Sequence, residues 1–152
     1  MIVPLFEMEK NMLIAFISYK HADQNIISQI KSIRLNTNHR LMYDDGSLPK
    51  PIYNNNGDII TRPPNDPASK SVKDAIKPLL EKADKLLVLI GKDTHSSLWV
   101  QWEIDVFTSK FGNKDILFMR IPNDTTSGLP KNAKHHELHN WNLDLLTRWL
   151  ES

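Results

Sequence analysis

Short unbroken apolar runs alternate along this chain with stretches in which apolar residues recur every three or four positions. Leu13-Ile14-Ala15-Phe16-Ile17 is one such run, closed by polar Ser18; a strand covered on both faces reads this way. Ile26, Ile27, Ile30 and Ile33 follow at helical spacing, with Ala22 or Asp23 near the start and Asn36-Thr37-Asn38 as the stop. Leu41-Met42-Tyr43 predicts a second, shorter strand ending at Asp44-Asp45-Gly46. Val72, Ile76, Leu79, Leu80 and Ala83 predict an amphipathic helix, which Pro78 should kink or shift at its boundary. Leu86-Leu87-Val88-Leu89-Ile90, ended by Gly91, is the strongest strand signal. A helix is predicted over about 98–111, with Ser96 or Ser97 as its cap. Ile116-Leu117-Phe118-Met119 predicts another strand. A weak fifth lies near Leu138, before a last helix carrying Leu143, Leu146, Trp149 and Leu150. This alternation predicts an α/β fold, a flavodoxin-like three-layer sandwich around a mostly parallel sheet. Ligands of such sheets bind beyond the C-terminal strand ends.

The segment 47–67 breaks the pattern. It holds Pro49, Pro51, Asn54-Asn55-Asn56-Gly57, Pro63, Pro64 and Pro67, so turns are its natural reading, with room for a brief hairpin around Asn55-Asn56-Gly57-Asp58. A loop this long is either functional, as a lid or recognition loop, or an inert surface insertion, and both readings stay open. With 152 residues, no internal repeat and no second compositional zone, 1–152 reads as one domain that includes a short N-terminal extension, 1–11.

Composition narrows the chemistry. A hydrophobic fraction of 40% with 24% charged residues is that of a globular chain. Nineteen Lys and Arg against eighteen Asp and Glu leave a formal charge of +1, which argues against a dedicated nucleic-acid or membrane-surface binder. Cysteine is absent, which excludes thiol nucleophiles and Cys-based metal sites. The first ten residues carry Glu7 and Glu9 without a long apolar run, so no signal peptide is read there and a cytoplasmic location is expected. His135, His136, Glu137 and His139 cluster, but not in the order His-Glu-x-x-His. A polar turn into the last strand is expected there, and no metal. Neither a Gly-rich phosphate loop nor a Gly-x-Ser-x-Gly elbow occurs.

One residue does not fit its surroundings. On a wheel turning about 100° per residue, Trp99, Val100, Trp102, Ile104, Val106 and Phe107 fall on one arc of the 98–111 helix. Gln101, Asp105, Thr108 and Ser109 take the other side, yet Glu103 lies near the middle of the apolar arc. A carboxylate placed there must be paired, protonated or turned to a cleft. The helix starts just after the strand ending at Ile90-Gly91, which sets its first turns beside the ligand-binding rim. Trp99, one turn earlier, adds an aromatic wall.

Phe16-Ile17-Ser18-Tyr19-Lys20-His21 resembles the opening motif of TIR domains. Leu89-Ile90-Gly91-Lys92-Asp93-Thr94, followed by Ser97-Leu98-Trp99-Val100-Gln101-Trp102-Glu103-Ile104, resembles the bacterial TIR-like proteins of the Thoeris anti-phage systems. The resemblance runs from about Met12 to Ile121. It implies the TIR version of the fold read above and chemistry on NAD⁺ as substrate, with no separate cofactor: cleavage of the nicotinamide–ribose bond, then cyclisation of the ADP-ribose into a signal. It further implies Glu103 as the catalytic residue. Phe16, Ser18, Tyr19, Lys20, His21, Asp44 and Trp99 become the substrate-binding set. Lys20-His21 departs from the basic pair usual after the tyrosine, and the usual proteins of this family carry a longer C-terminal part. The implied partners are NAD⁺, a phage-derived trigger, further copies of the chain, and a separate effector that reads a diffusible nucleotide product. The alternative from another class is a non-catalytic TIR-like adaptor that acts by self-assembly.

Overall fold

The structure is a computed structural model that describes residues 14–19, 42–44, 63–111 and 115–152. The helix predicted around 22–35, the hairpin at 55–58, the extension 1–11 and the residues Lys20 and His21 lie outside the described residues. Five strands form one sheet: β1 (Ile14–Ser18), β2 (Met42–Asp44), β3 (Lys85–Ile90), β4 (Ile116–Arg120) and β5 (Leu138–His139). Their order is β2-β1-β3-β4-β5, and every neighbouring pair is parallel. Helices α1 (Lys70–Lys82) and α2 (Leu98–Phe111) cover one face, and α3 (Leu143–Glu151) covers the other. This is the predicted flavodoxin-like sandwich, with each strand within a residue or two of its expected place.

Burial on both faces explains why the strands read as unbroken apolar runs. All six residues of β3 are buried, and they alternate between two cores. Leu86, Val88 and Ile90 join Phe16 and Phe118 beneath α1 and α2, against Ile76, Leu80, Val100, Ile104 and Phe107. Leu87 and Leu89 join Ala15, Ile17, Leu117 and Met119 beneath Leu146 and Leu150 of α3. Cores of this kind resist truncation, since deleting a buried leucine to alanine costs roughly 2–5 kcal/mol.

Helix boundaries follow their side-chain chemistry. Asn142 caps α3, its Oδ1 accepting the amide of Leu145 at 3.0 Å. The last residues of segment 47–67 are tied to α1. Asp66 accepts the Ala68 amide at 2.8 Å, and buried Ser69 donates to the Pro63 carbonyl at 2.8 Å. Pro78 neither ends nor moves α1, which runs from Lys70 through Pro78 to Lys82. Pro78 is exposed, so the ring faces solvent rather than the core, and it removes one amide from a helix held by Ile76 and Leu80.

The one charged residue of β3 joins the sheet to the end of α3. Lys85 is buried, its ammonium 5.1 Å from the Trp149 ring centroid. It donates to the carbonyls of Trp149 and of Ser152, the latter at 3.0 Å, and to the Ser152 hydroxyl at 2.7 Å. Cations are favoured at helix C-termini, where carbonyls lack intrahelical partners. Burial holds the ammonium below the usual lysine range, against the attraction of Asp115 and Asp84. Replacing it removes the donor that joins β3 to the end of α3, so Lys85→Ala should lower the unfolding free energy by ~2 kcal/mol. Urea denaturation followed by tryptophan fluorescence measures this; a change within ~0.5 kcal/mol, the ordinary surface range, would mean that the network contributes nothing.

Candidate functional site

The sheet order reverses beside β1: its neighbour on one side is β2 and on the other β3. Chains leave such neighbouring strands in opposite directions, which opens a crevice at their C-terminal ends. β1 ends there with Ser18, whose Cα is paired with Val88 of β3. Successive side chains of a strand point to opposite faces. Phe16 and Ser18 therefore share the face covered by α1 and α2, with Phe16 fully buried beneath them. Tyr19 packs instead against the cluster under α3.

A tight connection delivers α2 to this crevice. After β3, buried Thr94 accepts the amide of Gly91 on its Oγ1 at 2.8 Å, and its own amide returns to the Gly91 carbonyl at 3.2 Å. Ser97 then caps α2, its hydroxyl accepting the amide of Val100 at 3.3 Å. Val100, Ile104 and Phe107 anchor the helix on the sheet, spaced i, i+4 and i+7. From the side, Asn132 donates to the Gln101 carbonyl and to the Asp105 carboxylate, each at 2.8 Å. Held in this way, α2 turns Glu103 inward.

Glu103 is 6% exposed, and Ser18 donates to its Oε1 at 3.1 Å. No cationic side chain pairs with it among the described residues. Burial pushes its carboxyl up to about 8, and the Ser18 hydrogen bond only partly opposes the rise. At neutral pH the resting group is therefore mostly the uncharged acid. Trp99, one turn before it, is half-buried and meets Trp102 edge to face, with centroids 5.6 Å apart and planes at 79°. Asp44 ends β2 level with Phe16. Of the residues expected at the rim, the structure thus joins Ser18 directly to Glu103 and sets Phe16 and Trp99 on the same face of the sheet. It packs Tyr19 on the other.

Sequence reasoning assigned no role to Thr94 or Asn132. A small hydroxyl residue three positions after a strand-ending glycine is the one available signal for the first; nothing local marks the second. The groove between α1 and α2, lined by Lys70, Lys73, Lys77, Trp102 and Val106, does not include Glu103. Around the histidine cluster, His136 lies between Phe118 and His135, and His139 approaches Glu137 at 3.8 Å. Among the described residues no three His, Asp or Glu side chains are placed to hold a metal ion. Among them, too, no helix is long and apolar enough to cross a membrane.

The profile of the TIR-like domain of the Thoeris protein ThsB matches residues 16–126. The chain belongs to this family. No curated protein matches it. The match spans β1 to the turn after β4 and so contains both partners of the Ser18–Glu103 contact. Membership places this TIR-like domain in the Thoeris anti-phage defence systems.

The buried acid has a thermodynamic signature. A group with a raised folded pKa binds its proton more tightly in the native state than in the unfolded chain. Its contribution to stability is full below the ordinary glutamate range and falls as pH rises, reaching its minimum above about 8. Glutamine has nearly the same shape, carries no charge and keeps an oxygen for Ser18. Glu103→Gln should therefore be more stable than wild type at pH 8.5, by roughly 1–3 kcal/mol, with the difference gone near pH 4. Urea melts at the two pH values test this, and a glutamine variant less stable at pH 8.5 contradicts the burial argument.

Proposed function

We propose that this TIR-like domain cleaves the nicotinamide–ribose bond of NAD⁺ and forms a cyclic ADP-ribose-type signal in anti-phage defence. The observation that carries the reading is a buried carboxyl group, held by the Ser18 hydroxyl, at the crevice between β1 and β3. Glycosidases ordinarily need two carboxyl groups, one to protonate the leaving oxygen and one to act as base or nucleophile. Nicotinamide needs no such proton. Its ring nitrogen is already cationic in NAD⁺ and takes the electron pair of the breaking C–N bond, leaving as a neutral molecule. The positive charge passes to the ribosyl ring.

Glu103 is suited to the charge that remains. A cationic ring brought close favours ionisation of a neighbouring carboxyl, so the substrate itself offsets the burial that keeps Glu103 neutral at rest. The carboxylate then faces a developing ribosyl cation in a site from which water is largely excluded, where electrostatic stabilisation is strongest. Trp99 offers an aromatic face to a substrate ring. Capture of the cation by water gives ADP-ribose. Capture by a nucleophilic atom of the same molecule, with loss of a proton, closes a ring, and exclusion of water favours this second course. The product is a diffusible nucleotide that a separate effector reads. Lys20, His21 and Asp44 complete the substrate contacts in this proposal, and a phage-derived trigger and self-association supply its control.

Incubating NAD⁺ with purified protein and with lysate from infected cells, and following nicotinamide and nucleotide products by mass spectrometry, tests the reading. Wild type should release nicotinamide, and Glu103→Gln should do so about 10²–10³ times more slowly. Equal release from both would remove Glu103 from the chemistry. If neither releases any under infection conditions while wild type still binds a TIR partner, the chain is an interaction module.

A further inference from the structure

Resting on that reading, we propose that Ser18 is the positioning residue of the site: its hydroxyl fixes one oxygen of Glu103 and leaves the other for the substrate. The two groups come from elements that are anchored independently. Ser18 ends the second strand of the sheet order, paired to β3 and 1% exposed, so its backbone has almost no freedom. Glu103 comes from α2, which is held by its own apolar anchors, the Ser97 cap and Asn132. Among the described residues, the hydrogen bond from Ser18 Oγ to Glu103 Oε1 joins the two ends.

A glutamate has three side-chain torsions and turns freely unless its tip is held. With Oε1 held from the strand, the plane of the carboxyl is set and Oε2 is the oxygen presented elsewhere. The same bond stabilises the ionised form, because a hydroxyl donates to a carboxylate more strongly than to the neutral acid. Ser18 therefore acts through Glu103, both in orientation and in readiness to ionise. This differs from the substrate contact that the family resemblance implies for it.

The test is Ser18→Ala, which removes one oxygen from a buried position and leaves the apolar packing intact. With the donor gone, the carboxyl resists ionisation further. The acidic limb of the kcat–pH profile should move to higher pH, with kcat at pH 7 falling roughly tenfold, the equivalent of one hydrogen bond to a charged group. KM should stay within about twofold, and kcat should recover towards wild type at alkaline pH. A KM raised at every pH with an unmoved limb would make Ser18 a substrate contact and overturn the proposal.

A second measurement needs no turnover. In protein labelled with [δ-¹³C]glutamate and free of NAD⁺, the Glu103 carboxyl resonance is assigned by its loss in Glu103→Gln. Its titration midpoint should lie higher in Ser18→Ala than in wild type. A moved midpoint without any NAD⁺ cleavage would retain the positioning role and reject the NAD⁺ reading. An unmoved midpoint with normal cleavage in wild type would do the reverse.

Discussion

Everything at the crevice depends on one unfavourable act of burial: a carboxyl group sits 6% exposed with a hydroxyl as its hydrogen-bond partner and, among the described residues, no cation paired with it. Water would solvate the ionised form far better, so the folded state keeps the proton on. The rest of α2 makes this tolerable. Val100, Ile104 and Phe107 flank Glu103 on the same face and are almost wholly buried. Their transfer from water is favourable by roughly 1.5–3 kcal/mol each, enough to hold the helix in place whatever the acid does. The polar group is carried inward by apolar neighbours that would pack equally well without it. Natural proteins keep such locally unfavourable groups chiefly where function requires them.

The sheet decides which neighbours that acid has. Because alternate residues of a strand face opposite ways, Ser18 can reach α2 only if Phe16 also lies beneath it and Ala15, Ile17 and Tyr19 lie on the α3 side. Both cores obey that parity. A shift of one residue in the register of β1 would put Tyr19 against α2 and Ser18 against α3. The register is pinned at the far end of the strand, where Ile14 and Asp84 exchange hydrogen bonds at 2.7 and 3.0 Å. A contact at the C-terminal rim thus rests on a backbone lock at the opposite edge.

Much of this was legible in the sequence, and what was not has definite causes. The unbroken run of β3, the bounds of α2, a serine cap at its start and the misplaced Glu103 all follow from periodicity and end chemistry, which act locally. The family resemblance likewise rests on contiguous motifs around β1 and α2 that the profile match then spans. Pro78 sets no boundary of α1 because propensity is local while the anchoring of α1 by Ile76 and Leu80 is tertiary. The partner of Glu103 was hidden for a different reason. A strand buried on both faces has no polar alternation, so Leu13 to Ile17 gives no parity by itself, and Ser18 and Tyr19 look equally able to line the rim. Only the two packed faces separate them. Asn132 was illegible for the simplest reason: its partners Gln101 and Asp105 are about thirty positions away in sequence.

On the proposed reading, the resting neutrality of Glu103 also governs which substrates can react. Near neutral pH a ligand that brings no positive charge leaves the carboxyl mostly protonated, and a neutral carboxylic acid stabilises a ribosyl cation poorly. A reduced dinucleotide fails on two counts. Its nicotinamide ring is uncharged, so it does not assist the ionisation of Glu103, and its ring nitrogen would have to leave as an anion. An oxidised dinucleotide succeeds on both, through the same positive charge. Discrimination therefore requires no pocket that recognises the ring by shape. It follows from placing one acid where, near neutral pH, an approaching cation favours its ionisation.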